Sequence, residues 1–418
     1  MPTISRILPD GTLIELIHDA EARTTALFVG APDTPPILLD RVELPDGELL
    51  EPYAADNNLL TAGCVMLPGS FVPFDGKDGL LADIVAFLHR HVDLSPLFEQ
   101  IAAHYVLLSW VFDAFNETPM LRLKGEFGSG KTRALLAIGS LCHKAFFASG
   151  ASTVSPIFHI LDAFGGTLVL DEADLRFSDA TADLVKILNN GTTRGLPVLR
   201  TMANRHRELN PAAFRVFGPK IIAMRGAFSD DALESRFITE EMGGRTIRAD
   251  IPLSTPNTLR EEARTLRDRL LGWRFAMRHT VAVDPARAIP GLSPRGNQMA
   301  LPLLALVDDA GTREAIGARL MAAEAGARAR RGARPEARIA RIVDRLFADE
   351  AAPNISVAKV AQAYNCESDT MLPVKSVGHI LRTGLGLETR KSAGVYIIPA
   401  HERPKIAALA ERYRPLCA

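Results

Sequence analysis

The chain has 418 residues, enough for two to four compact units rather than one. Apolar residues at 47% and charged residues at 23% suit a globular protein that buries a real core. With 48 basic against 49 acidic residues the net charge is −1, which excludes a wholesale basic coat and confines any nucleic-acid contact to local patches. Cys64, Cys142, Cys366 and Cys417 are scattered without a CxxC pair, which points away from a zinc site or a disulfide framework and fits a reducing compartment. The N-terminus lacks a basic-then-apolar signal pattern. No apolar run reaches the eighteen or so residues of a membrane span, and "HYVLLSWVFDAF" is interrupted by Asp113. The expectation is a soluble, cytoplasmic protein with no membrane partner.

In chain order, residues 1–78 are rich in Pro, Gly and Asp between short β-prone runs such as "TLIELI", "TTALFVG" and "PPILLDRVEL", which predicts a β-rich unit with tight turns. Residues 79–118 carry apolar residues at helical spacing, broken near Asp93 to Pro96, and read as a lead-in of two helices, the second starting after Ser95-Pro96. Residues 119–250 alternate strands and helices ("PMLRLKG", "TRALLAIGSLC", "GTLVLDEAD", "ATADLVKILNN", "PKIIAMRG"), the pattern of a parallel sheet flanked by helices. Residues 251–328 are nearly all helical and read as a lid on that core. Residues 329–400 read as a basic, Ala/Gly-rich linker, "GARARRGARPEARIAR", followed by a small separate domain, and 401–418 as a helical tail.

Gly125-Glu126-Phe127-Gly128-Ser129-Gly130-Lys131-Thr132 fits G-x-x-x-x-G-K-[ST], and with Arg133 it forms the predicted nucleotide cradle. Glycines let backbone N–H groups turn toward phosphate oxygens, and a helix starting near Lys131 points its positive end at the same anion. Lys131 is placed on the β- and γ-phosphates and Thr132 on Mg²⁺. Further on, the apolar strand of "GGTLVLDEAD" ends in Asp171-Glu172. Asp171 is expected to hold Mg²⁺ through water, and Glu172 to orient and deprotonate the attacking water. The cofactors are therefore ATP and Mg²⁺, and the acidic pair favours hydrolysis over mere binding. An α/β core followed by a helical region suggests the AAA+ arrangement.

"GGTLVLDEADL", a hairpin-like segment, "ALESRF", "SPRGNQMALPLLAL" and a C-terminal winged helix together resemble the minichromosome-maintenance helicases. They also resemble the AAA+ primase-helicase proteins of phages, plasmids and mobile elements. The resemblance covers roughly residues 100–400. It implies that Arg236, in "SRF", is a finger on the neighbouring subunit's ATP and that Arg295 is the lid arginine that touches the γ-phosphate. It implies that the hairpin in "LPVLRTMANRHRELNPAAFRVFG" grips DNA with Asn204, Arg205, His206 and Arg207 in the channel of a ring. Where the family has a water-polarising asparagine after "PKIIAM", this chain has Arg225, so either Arg225 takes over, or Asn189 or Asn190 contributes, or the correspondence slips. Arg194 is a further candidate for contacting nucleotide across a subunit interface.

At the C-terminus, "PEARIARIVDRLFAD", "ISVAKVAQAYN" and "PVKSVGHILRTGL" read as three helices and "LETRKSAGVYIIP" as a two-stranded wing. The third helix presents Lys375, Ser376, His379 and Arg382, and the wing Arg390 and Lys391, to a groove or to phosphates. The favoured reading is an ATP-dependent DNA helicase or translocase acting as a ring, a hexamer in the manner the resemblance implies, on single-stranded or forked DNA of a mobile element, plasmid or phage, with other replication proteins as further partners. A helicase loader or initiator, or an ATP-controlled DNA-binding switch, stands as the alternative. No acidic triad or zinc ribbon of a primase is visible, so priming would need another protein.

Overall fold

In the computed structural model, which describes residues 2–150, 152–171, 179–203, 209–228, 230–244, 246–254, 257–349 and 354–413, the chain begins with β1 (Pro2–Thr3), β2 (Ser5–Ile7), β3 (Leu13–Asp19), β4 (Thr24–Gly30), β5 (Ile37–Leu39), β6 (Val42–Glu43) and β7 (Leu49–Pro52). β2 to β5 form an antiparallel meander, and β1, β7 and β6 a second small sheet. Leu13, Ile14, Leu16 and Ile17 of β3 are all buried, because both faces of this strand are covered. α1 (Asn58–Thr61) and β8 (Val65–Met66) lead to α2 (Lys77–His91) and α3 (Pro96–Val111). α3 starts with Pro at its first position, where a missing N–H costs nothing. Ser95 does not cap it through its side chain. Its N–H and Oγ instead donate to Glu240 at 2.8 and 3.1 Å.

The alternating region follows as β9 (Met120–Lys124), α4 (Lys131–Leu141), β10 (Ala145–Ala148), α5 (Val154–Phe164), β11 (Leu168–Leu170), α6 (Asp179–Asn190), the hairpin β12 (Val198–Ala203) and β13 (Leu209–Phe214), β14 (Lys220–Met224), α7 (Asp231–Glu234) and β15 (Phe237–Glu241). The sheet order is β15-β9-β14-β11-β10-β8. The first five strands are mutually parallel and β8 closes the edge antiparallel to β10. β11 and β14 are fully buried runs, as strands covered on both faces must be. α8 (Thr258–Met277), α9 (Pro294–Leu304) and α10 (Ala310–Ala333) complete this part of the chain. The expected linker within 329–333 is helical instead, since Ala and Arg favour helix and α10 stops only as Pro335 approaches.

A buried ionic cluster sits at the start of β10. Glu15 of β3 meets Lys144 Nζ at 2.9 Å and Arg274 Nε at 2.6 Å, and His143 Nε2 lies 3.5 Å away. Arg274 also reaches Asp113 at 2.7 Å, and Arg278 reaches Asp113 at 2.6 Å. Burial opposes ionisation of Asp113, but Arg274 and Arg278 outweigh it and hold the carboxyl down at about 2. Burial, aided by Lys144, pushes His143 down to about 4. The cluster joins β3, the end of α3, the approach to β10 and α8 by charge as well as by packing.

The chain divides into two compact units, 1–318 and 319–418, with the division inside α10. In the second unit, α11 (Pro335–Asp349), β16 (Asn354–Ser356), α12 (Val357–Glu367), α13 (Val374–His379), β17 (Arg390–Ser392), β18 (Val395–Pro399) and α14 (Arg403–Arg412) enclose a core of Ile339, Val343, Val360, Val377, Leu381 and Ile398. β17 and β18 turn through Ala393 and Gly394, both with positive φ (47° and 82°), the backbone that a two-residue hairpin needs. No helix among the described residues is long and apolar enough to cross a membrane.

Candidate active site

The glycine-rich loop joins the C-terminal end of β9 to α4. Gly128 and Gly130 have φ of 77° and 84°, and Gly130 is the N-cap of α4, so the loop depends on residues that tolerate the left-handed region. A Cβ on Gly125 would stand 2.4 Å from the Met242 carbonyl oxygen, so this position has no room for a side chain. The turn after β15 braces the loop from that side. Met242 N donates to Lys124 O at 2.6 Å, and a Cβ on Gly243 would meet Ser129 Cβ at 2.9 Å. Lys131 Nζ donates to Glu126 O at 2.7 Å, folding the ammonium over the loop. Phe127 is 89% exposed at the loop's apex. Arg133 donates to the carbonyls of Pro252 and Ser254, tying α4 to the stretch before α8.

Thr132 Oγ1 donates to Asp171 Oδ2 at 2.7 Å. Asp171 follows β11, whose Leu170 pairs with Ile222 of β14, while β14 also pairs with β9. The sheet therefore brings together two residues from distant motifs. Arg225 is exposed directly after β14, next to the point where Gly125 N donates to Met224 O at 3.3 Å. The C-terminal edge of the parallel sheet thus carries Gly125, Asp171 and Arg225 on three neighbouring strands. Glu172 lies outside the described residues.

Arg236 lies at the opposite edge. Its carbonyl accepts from Met120 N, the first residue of β9, at 2.9 Å. The five residues of β9 then separate it from the glycine-rich loop by about 16 Å. Arg236 Nε donates to Thr192 Oγ1 at 3.2 Å, and its Nη1 donates to Ala232 O. Burial first, and the charge of Arg295 second, lower its pKa, while the Asp230 carboxylate opposes them. Arg295 donates to Gln298 Oε1 at 3.2 Å and Gln298 to Glu117 Oε1 at 2.9 Å, while the buried Nη2 of Arg295 has no hydrogen-bond partner among the described residues. The segment ahead of Arg236 is anchored by Arg122 in mid-β9, which forks onto Glu234 and donates from Nε to Thr239 Oγ1 at 3.1 Å. Asn189 is turned to Asp230 Oδ2 at 3.0 Å, so its amide serves this same edge. Asn190 accepts from Thr193 N through its carbonyl at 3.5 Å. Arg194 donates to the carbonyls of Asp113 and Phe115, so its guanidinium is spent on the chain itself.

The hairpin exists as β12 and β13, with Arg200 of β12 paired to Asp183 at 2.8 Å. Its tip residues Asn204, Arg205, His206 and Arg207 lie outside the described residues. In the second unit Lys375, His379, Arg382, Arg390 and Lys391 are exposed and Ser376 is half-buried. Arg382 lies over the exposed Tyr396 ring, 6.0 Å from its centroid.

No family model matches this chain, and no curated protein sequence matches it. Solved structures similar to it include the JCV helicase with a bound acetamide compound, at 16% identity over 60% of this chain and 61% of that one, with a TM-score of 0.25. The apo C-terminal region of NrS-1 matches at 11% identity over 92% and 96%, with a TM-score of 0.38. Cdc6p from Pyrobaculum aerophilum matches at 13% identity over 81% and 99%, with a TM-score of 0.19. This chain spans about three fifths of the length of the JCV helicase chain it matches. At these scores the likenesses carry nothing for function, which rests on the residues of this chain.

Sequence reasoning passed over Thr192, Gln298, the Met242-Gly243 brace and the Arg122–Glu234 pair. The available signal was polarity out of place. Arg122 interrupts an apolar strand, and Glu234 precedes "SRF" by a single residue.

Proposed function

We propose that the chain is an AAA+-type ATPase that works as a ring-shaped DNA helicase or translocase. The observation that carries the ATPase is the contact of Thr132 Oγ1 with Asp171 Oδ2 at the mouth of the glycine-rich loop. A hydroxyl and a carboxylate are the hard oxygen donors that Mg²⁺ takes. Gly125, which has no room for a Cβ, and the positive φ of Gly128 and Gly130 suit a cradle of backbone N–H groups for phosphate. The residues present fit a magnesium nucleotide, with Thr132 and Asp171 on the metal and Lys131 on the phosphates. When bound, the metal and nucleotide supply a polarised terminal phosphoryl group. Lys131, folded onto the Glu126 carbonyl in the free loop, would turn to the phosphate charge, Glu172 would take the proton of the attacking water, and Arg225, directly after β14 and next to the loop, is our candidate to orient that water. α8 to α10 then act as the lid, and α11 to α13 with the β17–β18 wing as a winged helix.

Ring assembly is proposed from the other edge, where Arg236 lies about one strand length from its own loop, with Arg295 kept as the lid arginine for the γ-phosphate. The Arg236 guanidinium is suited to forking onto phosphate oxygens supplied from outside the subunit. DNA enters the proposal through the basic hairpin tip of residues 204–207 and the exposed Lys375, Arg382, Arg390 and Lys391. In solution Arg236→Ala and Lys131→Ala proteins should each be inactive. Mixed, they should regain partial ATPase, because some interfaces pair an intact loop with an intact finger. Mixed rings that form and stay inactive would remove Arg236 from the neighbour's site. Stimulation of ATPase by single-stranded DNA separates the translocase from a loader or switch, which gains no rate from it.

A further inference from the structure

Lys220 opens β14 with a fully buried side chain. Its Nζ donates to the carbonyls of Gly191, Val216 and Gly218 at 2.8, 2.9 and 2.8 Å. Burial pushes the ammonium down to about 7, and among the described residues no charged partner offsets that. Burying a cation without a carboxylate is costly, so a strand start chosen for stability alone would be apolar. What the lysine gains is grip on one loop. Gly191 follows the last residue of α6, where helix carbonyls carry the negative end of the dipole. A Cβ on Gly191 would lie 2.2 Å from Nζ and 2.6 Å from the Ile187 carbonyl oxygen, so the peptide is pinned against the ammonium. Gly218 N donates to Gly191 O at 3.1 Å, fixing the same carbonyl from a second side. The next residue is Thr192, fully buried, whose carbonyl accepts from Thr118 N at 3.0 Å and whose Oγ1 accepts from Arg236 Nε at 3.2 Å.

We infer that Lys220 is a positioning residue for Arg236, holding the Gly191-Thr192 turn so that the Thr192 hydroxyl sets the direction of the guanidinium. The inference rests on the reading of Arg236 as a finger for a neighbouring subunit. It says that the finger is aimed from inside the subunit that donates it. A lysine that only closed the core would act on folding and spare no function selectively.

The test uses Lys220→Met in the full chain with magnesium ATP. KM should stay within about twofold and kcat should fall about a hundredfold, the scale of an ångström's misplacement of a catalytic group. Mixing with Lys131→Ala should restore ATPase, because the loop of Lys220→Met is intact and the partner's finger is sound. Mixing with Arg236→Ala should restore nothing, because both proteins then lack a working finger. Wild-type kcat, a raised KM with normal kcat, or rescue by Arg236→Ala would each overturn the inference. Should Lys220→Met fail to assemble, Thr192→Val carries the test, since it removes the hydroxyl and leaves all three contacts of Lys220 in place. It should show the same mixing pattern, and Thr192→Ser should recover the rate. Wild-type kcat in Thr192→Val sinks Lys220 as a positioning residue even if Arg236→Ala is inactive. Wild-type ATPase in Arg236→Ala itself sinks the finger and Lys220 together.

Discussion

The two edges of the parallel sheet are built from opposite materials. The C-terminal edge is a glycine-rich loop with Thr132, Asp171 and Arg225 around it, open enough that Phe127 stands almost free. The N-terminal edge is crowded with cations at strand starts: Lys144 before β10, Lys220 opening β14 and Arg236 before β15. Lys144 has a carboxylate, Glu15, at 2.9 Å. Among the described residues Lys220 has carbonyls only, and Arg236 has Thr192, a carbonyl and the opposing charges of Asp230 and Arg295. On the proposed function, the first edge receives an anion and the second supplies positive charge to a neighbouring copy.

The largest effect is expected at the open edge. Lys131→Ala should abolish ATP binding, read by titration of a fluorescent nucleotide, and retained affinity would mean that the loop is not the site. Glu172→Gln should keep binding and stop turnover, with wild-type turnover sinking its role as base. At the crowded edge Arg236→Ala should bind ATP and assemble, yet lose roughly three to five decades of rate, the usual worth of an arginine finger. Arg295→Ala should cost less, since Arg236 remains to reach the phosphate, and a larger loss than Arg236→Ala would reverse their order of importance. Beneath the crowded edge, His143 titrates at about 4 against an ordinary 6.5. A depressed pKa contributes stability that is present above 6.5 and is lost as pH falls toward 4, so about 3 kcal/mol should disappear across that window. His143→Gln should flatten that part of the stability–pH curve, and an unchanged curve would clear His143 of the effect. The smallest change is expected in the second unit. Replacing Arg390 and Lys391 with Ala should lower the salt slope of DNA binding by about two, one per lost phosphate contact, and leave ATPase untouched.

Much of this was legible in the chain. Alternating apolar runs and helical periodicity located β9, α4, β11 and α6, because burial on both faces of a strand leaves a run that no loop would carry. The glycine-rich loop was legible for a related reason: its residues are chosen for backbone freedom, a local property. Local reading went wrong at residues 329–333, where Gly and Arg suggested a linker and the Ala-rich context propagated α10 to Ala333. It also left three residues open for the position after "PKIIAM". Asn189 bonds Asp230, the Asn190 carbonyl accepts from Thr193 N, and Arg225 follows the strand whose end meets the loop, so the water-orienting role remains a proposal for Arg225.

By itself the sequence determined the element order, the glycine-rich loop, Asp171 at the end of a strand and the helices and hairpin of the second unit. Each is encoded within a few neighbouring residues, through periodicity, turn chemistry or a short motif. Only the tertiary structure decided that Thr132 meets Asp171, that Arg236 bonds Thr192, and that Lys220 grips the turn carrying Thr192. Those pairings join residues dozens of positions apart, and the order and packing of strands and helices bring them together.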